Sequence, residues 1–403
     1  MDSSTLAVHA GERATLPAGR PISTPIYAST TFLHAGAAEL DRVAGGEEPG
    51  YLYGRYAHPT AAALEAAVLA LELAVPAGET PPDAVCYSFA SGMAAMHAAI
   101  LASGAGRGDL VLCAEEVYGG TLALLTDILA PTGLEAAVAP LTVPAAWAAG
   151  LARRPKLVIA EAISNPRLRV PDLAALAAAA HAAGAKLLVD ATFASPVLCR
   201  PVVLGADFSV HSATKYLAGH GDTTGGVVIA QRAEEPGLSA ARRLAGGVLG
   251  PFEAWLVLRG LKTLPLRIAR QCATAARIAA EMATWPGIEA VDYPGLPNHP
   301  DHAIARQQFG GCFGGMLSFA LRGAGRSQVF AFLDALRLVL HATSLGDVQT
   351  LISYPLISSH RGSSPRQLAR QGIGENLLRL SVGLEAPEDL LADLRQALAA
   401  ARA

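Results

Sequence analysis

Charge is scarce in this chain. Only 16% of its 403 residues are Asp, Glu, Lys or Arg, below the ~25% usual in soluble domains. The deficit predicts extensive burial, part of it between subunits. The few charges nearly cancel, 31 basic against 34 acidic for a net charge of −3. That balance leaves no basic stripe for a nucleic-acid partner and no polybasic anchor for a membrane surface. A hydrophobic share of 52% excludes a disordered chain.

Cysteine is scarce as well. Cys86, Cys113, Cys199, Cys272 and Cys312 are odd in number, widely spaced and free of any C-x-x-C pair. This excludes a disulfide framework and a zinc site. The histidines show no metal-ligand spacing, so no metal is expected. Residues 1–10 lack a basic segment leading into an apolar run, so no signal peptide is expected. The longest apolar stretch, 173–183, is too short to span a bilayer. A soluble, cytoplasmic protein is expected. Common nucleotide motifs are missing: there is no G-x-x-x-x-G-K-[ST], no H-E-x-x-H and no G-x-S-x-G. Gly104-Ala105-Gly106-Arg107-Gly108 follows a helix and precedes a strand, the reverse of a dinucleotide fingerprint.

What is present is an α/β texture. At about 100–200 residues per domain, the length predicts two domains or one with an appendage. Pro17, Pro21, Pro25, Pro49 and Pro59 deny any long helix in the first sixty residues, which read as an extended arm. A helix is predicted over 60–74. Strands over 84–89, 109–113, 156–160, 185–189, 207–211 and 226–230 then alternate with helices over 91–103, 118–129 and 173–183. Short apolar runs joined by helix-length crossovers predict a mostly parallel, buried sheet. Beyond about Pro251 the pattern shifts. Helices are predicted over 252–264 and 266–284, interrupted by Pro265, then over 327–338 and 387–401, with strands over 314–320 and 378–382. The expected division is an arm over 1–60, an α/β domain over 61–253 and a smaller α+β domain over 254–403.

Four segments carry chemistry. In Ser212-Ala213-Thr214-Lys215 a lysine follows a strand, beside two hydroxyls and ahead of several glycines. A lone loop lysine is usually solvated. In a dry site, however, it has a lowered pKa and can form a Schiff base. Asp190 ends an apolar strand, at the edge where open α/β sheets bind ligands; the plain alternative is a turn or cap. Lysine plus aspartate is the pairing pyridoxal phosphate needs. Ser91-Gly92-Met93 opens a helix whose N–H groups suit a phosphate, although a serine there is most often only an N-cap. Tyr118 stands between a strand and a helix, where its ring could stack on a cofactor or simply pack.

In one shared order these segments resemble the cysteine/methionine-metabolism family of pyridoxal-phosphate enzymes, which includes cystathionine γ-synthase, cystathionine lyases, methionine γ-lyase and O-acetylhomoserine sulfhydrylase. The resemblance starts at Thr5-Leu6-Ala7-Val8-His9-Ala10-Gly11 and Pro25-Ile26-Tyr27. It runs through Tyr53-Gly54-Arg55, Tyr118-Gly119-Gly120-Thr121, Glu161 with Ser164-Asn165-Pro166, Asp190-Ala191-Thr192 and Ser212–Asp222. Arg259-Gly260-Leu261-Lys262, Ser344-Leu345-Gly346 and Arg379-Leu380-Ser381-Val382-Gly383 complete it.

The resemblance implies a type I, aspartate-aminotransferase-like fold and pyridoxal 5'-phosphate as cofactor. Lys215 would be joined to the cofactor and shuttle protons. Asp190 would hold the pyridine nitrogen protonated, and Tyr118 would stack on the ring and assist at the leaving group. Gly92, Met93, Ser212 and Thr214 would hold the phosphate. Asn165 would bond near the ring hydroxyl. Arg379 would clamp the substrate carboxylate, a task its fork suits, with Ser344 and Thr343 also facing substrate. Tyr53 and Arg55 would reach the phosphate of a neighbouring subunit, which implies a dimer paired into a homotetramer.

The family pattern is not followed throughout. His58 stands where Asn is usual, Gln349 where Glu is common, and Gly120 where some methionine γ-lyases carry cysteine. Thr343 occupies a position that varies with substrate. The implied activity is γ-elimination on a sulfur-containing amino acid such as methionine or cystathionine. γ-Replacement is the alternative, and an aminotransferase or a non-catalytic pyridoxal-phosphate-binding relative are rivals.

Overall fold

The computed structural model describes residues 21–401. The motif over 5–11, Pro17 and the first twenty residues of the expected arm lie outside them.

The first sheet has seven strands: β1 (Ala84–Phe89), β2 (Leu110–Ala114), β3 (Glu135–Ala139), β4 (Leu157–Glu161), β5 (Lys186–Asp190), β6 (Phe208–Ser212) and β7 (Gly226–Gln231). Their order is β1-β7-β6-β5-β4-β2-β3. β3, β2, β4, β5 and β6 are parallel neighbours. β7 is antiparallel to both β6 and β1. The apolar runs are nearly continuous because both faces are covered. In β5, Leu187 and Val189 join one core cluster while Leu188 joins the other.

Flanking helices start where capping chemistry permits. The His58 ring accepts from the Ala61 N–H and Pro59 opens Pro59–Glu72. Asp172 caps Leu173–Ala182 through the Ala175 N–H. These partners supply acceptors for otherwise orphaned helix donors.

A second sheet contains β8 (Ile288–Asp292), β9 (Met316–Leu321), β10 (Leu340–His341), β11 (Leu351–Ser353) and β12 (Leu377–Ser381). Its order is β10-β11-β12-β9-β8, antiparallel except for β10 beside β11. The two sheets are tied together near the site. Ser318 on β9 donates to the Pro166 carbonyl at 2.6 Å. Buried Arg267 donates to the carbonyls of Tyr216 and Gly260 at 2.8 and 2.9 Å, fixing the segment just past Lys215.

Several elements differ from expectation. Helix Ala37–Gly45 occupies the proline-free gap between Pro25 and Pro49. The helix predicted over 118–129 is regular only over Gly119–Ala123, then widens to a π-type turn over Leu124–Leu129 that buries Leu124, Leu125 and Leu129. Pro265 does not interrupt a helix. It lies in the first turn of Leu264–Met282, where its missing N–H costs nothing. Strands β3, β8, β10 and β11 and helices Pro144–Ala152 and His302–Phe309 escape prediction; β3 and β8 are partly exposed edges without a clean apolar alternation, and β10 and β11 are only two and three residues long.

Candidate active site

Parallel strands deliver their carboxyl ends to one edge of the first sheet. β1, β2, β4, β5 and β6 all point the same way, so the residues that follow them collect there. Past β1, the Ser91 hydroxyl accepts from the Ala94 N–H at 3.1 Å and caps Gly92–Ala102. The N–H groups of Gly92 and Met93 donate to no group among the described residues. A Cβ on Gly92 would lie 2.8 Å from the Ser212 Cβ and 2.9 Å from its hydroxyl, so this approach requires glycine.

Past β2, Tyr118 opens Gly119–Ala123 with its ring half-exposed. Glu161, last in β4, accepts the Tyr118 N–H at 2.6 Å. Asn165 follows, joined to Pro166 by a cis peptide bond. Asp190 ends β5 and accepts the Thr192 N–H at 2.9 Å. The Thr192 hydroxyl accepts the Ser212 N–H at 2.8 Å. Past β6, the Lys215 Nζ donates to the Ser344 hydroxyl at 2.9 Å. The second sheet contributes Arg379 from β12. It is buried, donates to the Asn165 Oδ1 at 2.8 Å, and lies 5.6 Å from the Phe193 ring centroid.

These side chains enclose a cavity of about 520 Å³. Ten of the expected residues line it: Gly92, Met93, Tyr118, Asn165, Asp190, Ser212, Thr214, Lys215, Thr343 and Arg379. Ser344 meets it through Lys215. Tyr53 and Arg55 do not line it. Instead Arg55 bonds the Arg243 carbonyl, its guanidinium 5.5 Å from the Tyr53 ring centroid and 5.1 Å from that of Tyr56.

Burial sets the electrostatics. It lowers the Lys215 amine below the ordinary lysine value, with the Arg379 guanidinium adding to the effect and Asp347 opposing it. It lowers Arg379 to about 10. It raises Asp190, while the Thr192 hydroxyl and N–H pull the other way. It raises Glu161 well above the carboxylate range, helped by the neighbouring Asp190 carboxyl.

A family model described as Cys/Met metabolism PLP-dependent enzyme matches residues 4–399. The chain belongs to this family. It is 41% identical over 396 residues to O-succinylhomoserine sulfhydrylase of Pseudomonas aeruginosa, covering 98% of this chain and 95% of that one. It is 38% identical over 399 residues to cystathionine gamma-lyase of Bacillus subtilis, covering 99% of each. Cystathionine gamma synthase of Xanthomonas oryzae pv. oryzae, solved in complex with cystathionine, superposes with a TM-score of 0.87 at 36% identity, over 100% of this chain and 99% of that one. The protein is therefore an enzyme of the pyridoxal-phosphate type, with the type I fold the sequence implied.

The cavity fits that cofactor on its own chemistry. Two unused helix-start N–H groups and the Ser212 hydroxyl meet where Gly92 leaves no room for a methyl, a cradle for a phosphate. Asp190 offers a half-buried carboxyl that lines the cavity to a ring nitrogen. Lys215 is a half-buried amine of lowered proton affinity. The Arg379 Nε is buried without a partner, which leaves part of the fork for an incoming carboxylate.

Glu161 and Thr192 were quoted in motifs but given no role by sequence reasoning. Thr192 had a usable signal, a hydroxyl two residues past Asp190. Glu161 had none, because its partners become visible only once β4 and β5 pair. Ser358 and Ser359 also line the cavity, from a stretch that carried no motif. Two departures from the family pattern have structural accounts. The His58 Nδ1 caps a helix while its Nε2 meets the Leu249 carbonyl at 3.2 Å. Gln349 is exposed and does not line the cavity.

Proposed function

We propose that the enzyme catalyses γ-elimination on a sulfur-containing amino acid such as methionine or cystathionine, as a homotetramer of the cytoplasm. The observation that carries this reading is the placement of a lowered-pKa amine, Lys215, between two acid–base partners and an anion clamp: Asp190, Tyr118 and the Arg379 fork face one cavity. An α-amino acid needs its carboxylate fixed and its Cα proton exposed to a base.

When bound, pyridoxal 5'-phosphate supplies an electron sink for charge developing at Cα. The chain's residues do the rest. Gly92, Met93, Ser212 and Thr214 would hold the phosphate. Asp190 would keep the ring nitrogen protonated. Arg379, oriented by the Asn165 Oδ1, binds the substrate carboxylate, and Thr343 and Ser344 line its path. Lys215 would hold the cofactor, and its amine would move protons at Cα and Cβ; Ser344 steadies that amine. The Tyr118 phenol gives a proton to the departing sulfur.

γ-Replacement on an O-acylated homoserine is the second reading, favoured by the 41% identity to a sulfhydrylase. The arm reading rests on Tyr53 and Arg55 lying outside their own cavity and on exposed Ile22, Leu33 and Leu244. In this reading Tyr53 and Arg55 complete the phosphate site of a neighbouring subunit, and the domain division is an arm through residue 60, a cofactor domain over 61–253 and a smaller domain from 254.

A product screen with methionine, cystathionine, homocysteine, cysteine and O-acyl-homoserines tests the proposal. A 2-oxo acid of four carbons, with ammonia and a thiol, is expected without added thiol. Pyruvate would indicate β-chemistry, and a thioether formed only with added thiol would indicate replacement; either overturns the elimination reading.

A further inference from the structure

Glu161 is buried at the edge that the catalytic groups share. It pairs in register with Asp190 across β4 and β5. Alternation puts it on the face of Leu157 and Ile159, and Asp190 on that of Leu188, the same side of the sheet. Two carboxyls thus stand side by side. Oε1 accepts the Tyr118 N–H at 2.6 Å. Oε2 is buried without a partner in a side chain that lines the cavity.

Tyr118 depends on this contact. Its side chain makes no capping bond. Among the described residues, Glu161 is the one side chain that hydrogen-bonds it. The main chain at 118 therefore takes its position from a carboxyl on the neighbouring strand end.

We propose that Glu161 is a positioning residue for this reaction: it sets the Tyr118 ring over the bound cofactor through the Tyr118 N–H, and it carries its proton on the shielded Oε2, beside Asp190. This rests on the reading of Tyr118 as the ring-facing residue. A carboxyl beside another is disfavoured in its charged form. Asp190 has Thr192 donors to hold its charge, whereas Glu161 has one main-chain donor. Burial and then Asp190 push the Glu161 carboxyl upward, in keeping with this assignment.

Two conservative variants test it. Glu161→Gln keeps a neutral acceptor toward Tyr118 and a donor in place of the acid proton. Glu161→Asp withdraws the carboxyl by one methylene. Cofactor titration of the apoprotein and the circular dichroism of the cofactor band are read without substrate, so neither depends on which amino acid is cleaved. Glu161→Gln is expected to hold the cofactor within about twofold of the parent with its dichroism retained. Glu161→Asp is expected to weaken it roughly tenfold, about one buried hydrogen bond, with most of the dichroism lost. Equal behaviour of the two variants, whether both parent-like or both impaired, overturns the proposal.

Discussion

Gly120 lies under the ring of Tyr118. A Cβ at Gly120 would overlap the ring at Cε1 and lie 3.0 Å from Cδ1 and 3.2 Å from the Met93 Sδ. Gly120→Ala should therefore displace the phenol. A misplaced catalytic group costs up to about 100-fold, so kcat/KM is expected to fall by up to roughly that factor, with little change in thermal stability of the apoprotein because the half-exposed ring can swing outward. Unchanged steady-state kinetics would show that the ring position is not critical.

Lys215 and Arg379 are linked by charge. Burial and then the Arg379 guanidinium depress the Lys215 amine. The cation at 379 disfavours a second cation at 215, so removing it should raise the lysine pKa. Only the free amine combines with the cofactor aldehyde. The rate of cofactor uptake by the apoprotein is expected to rise with pH at a midpoint below 10.5. In Arg379→Met the midpoint is expected to move upward. A midpoint that stays put or falls contradicts the coupling.

Asp301 anchors the loop beyond Asn165. It accepts from the Arg169 Nη2 at 2.8 Å and the Val170 N–H at 3.0 Å. Burial alone would raise its carboxyl, but Arg169 and Val170 outweigh burial and hold it below the usual range. A depressed folded-state pKa gives stability that is present above the unfolded value and lost as pH falls through the folded one. Asp301→Asn should cost roughly 1–2 kcal/mol near neutrality. In denaturant unfolding the deficit should shrink in strong acid. A pH-independent deficit would argue against an ionic contribution.

Much of this site was legible in the sequence because its residues follow apolar runs that read as parallel strands. Asp190 was placed by that logic, Lys215 stood out through the hydroxyls and glycines around it, and Asn165, Thr343, Ser344 and Arg379 entered only through the family resemblance. Glu161 was not legible. An acid closing a strand commonly serves as a turn residue, and only the pairing of β4 with β5 sets it beside Asp190. Edge strands β3 and β8 were missed because partial exposure removes the alternation that marks a strand. Helix Ala37–Gly45 was not legible because the arm's prolines deny a long helix overall while leaving a proline-free gap between Pro25 and Pro49.

Arg55 offers a test of assembly. If it serves a neighbour's site, inactive Lys215→Ala and impaired Arg55→Ala subunits should complement when mixed. Each mixed dimer then has one site with both intact residues, so about a quarter of all sites recover under random exchange. No recovery after verified subunit exchange would place Arg55 in its own subunit's chemistry or outside catalysis.

The central claim is that the Lys215 amine carries the cofactor. Borohydride reduction of the holoenzyme, followed by peptide mass spectrometry, tests it most directly. A single phosphopyridoxyl adduct at Lys215 is predicted; an adduct on another residue, or none, contradicts the account.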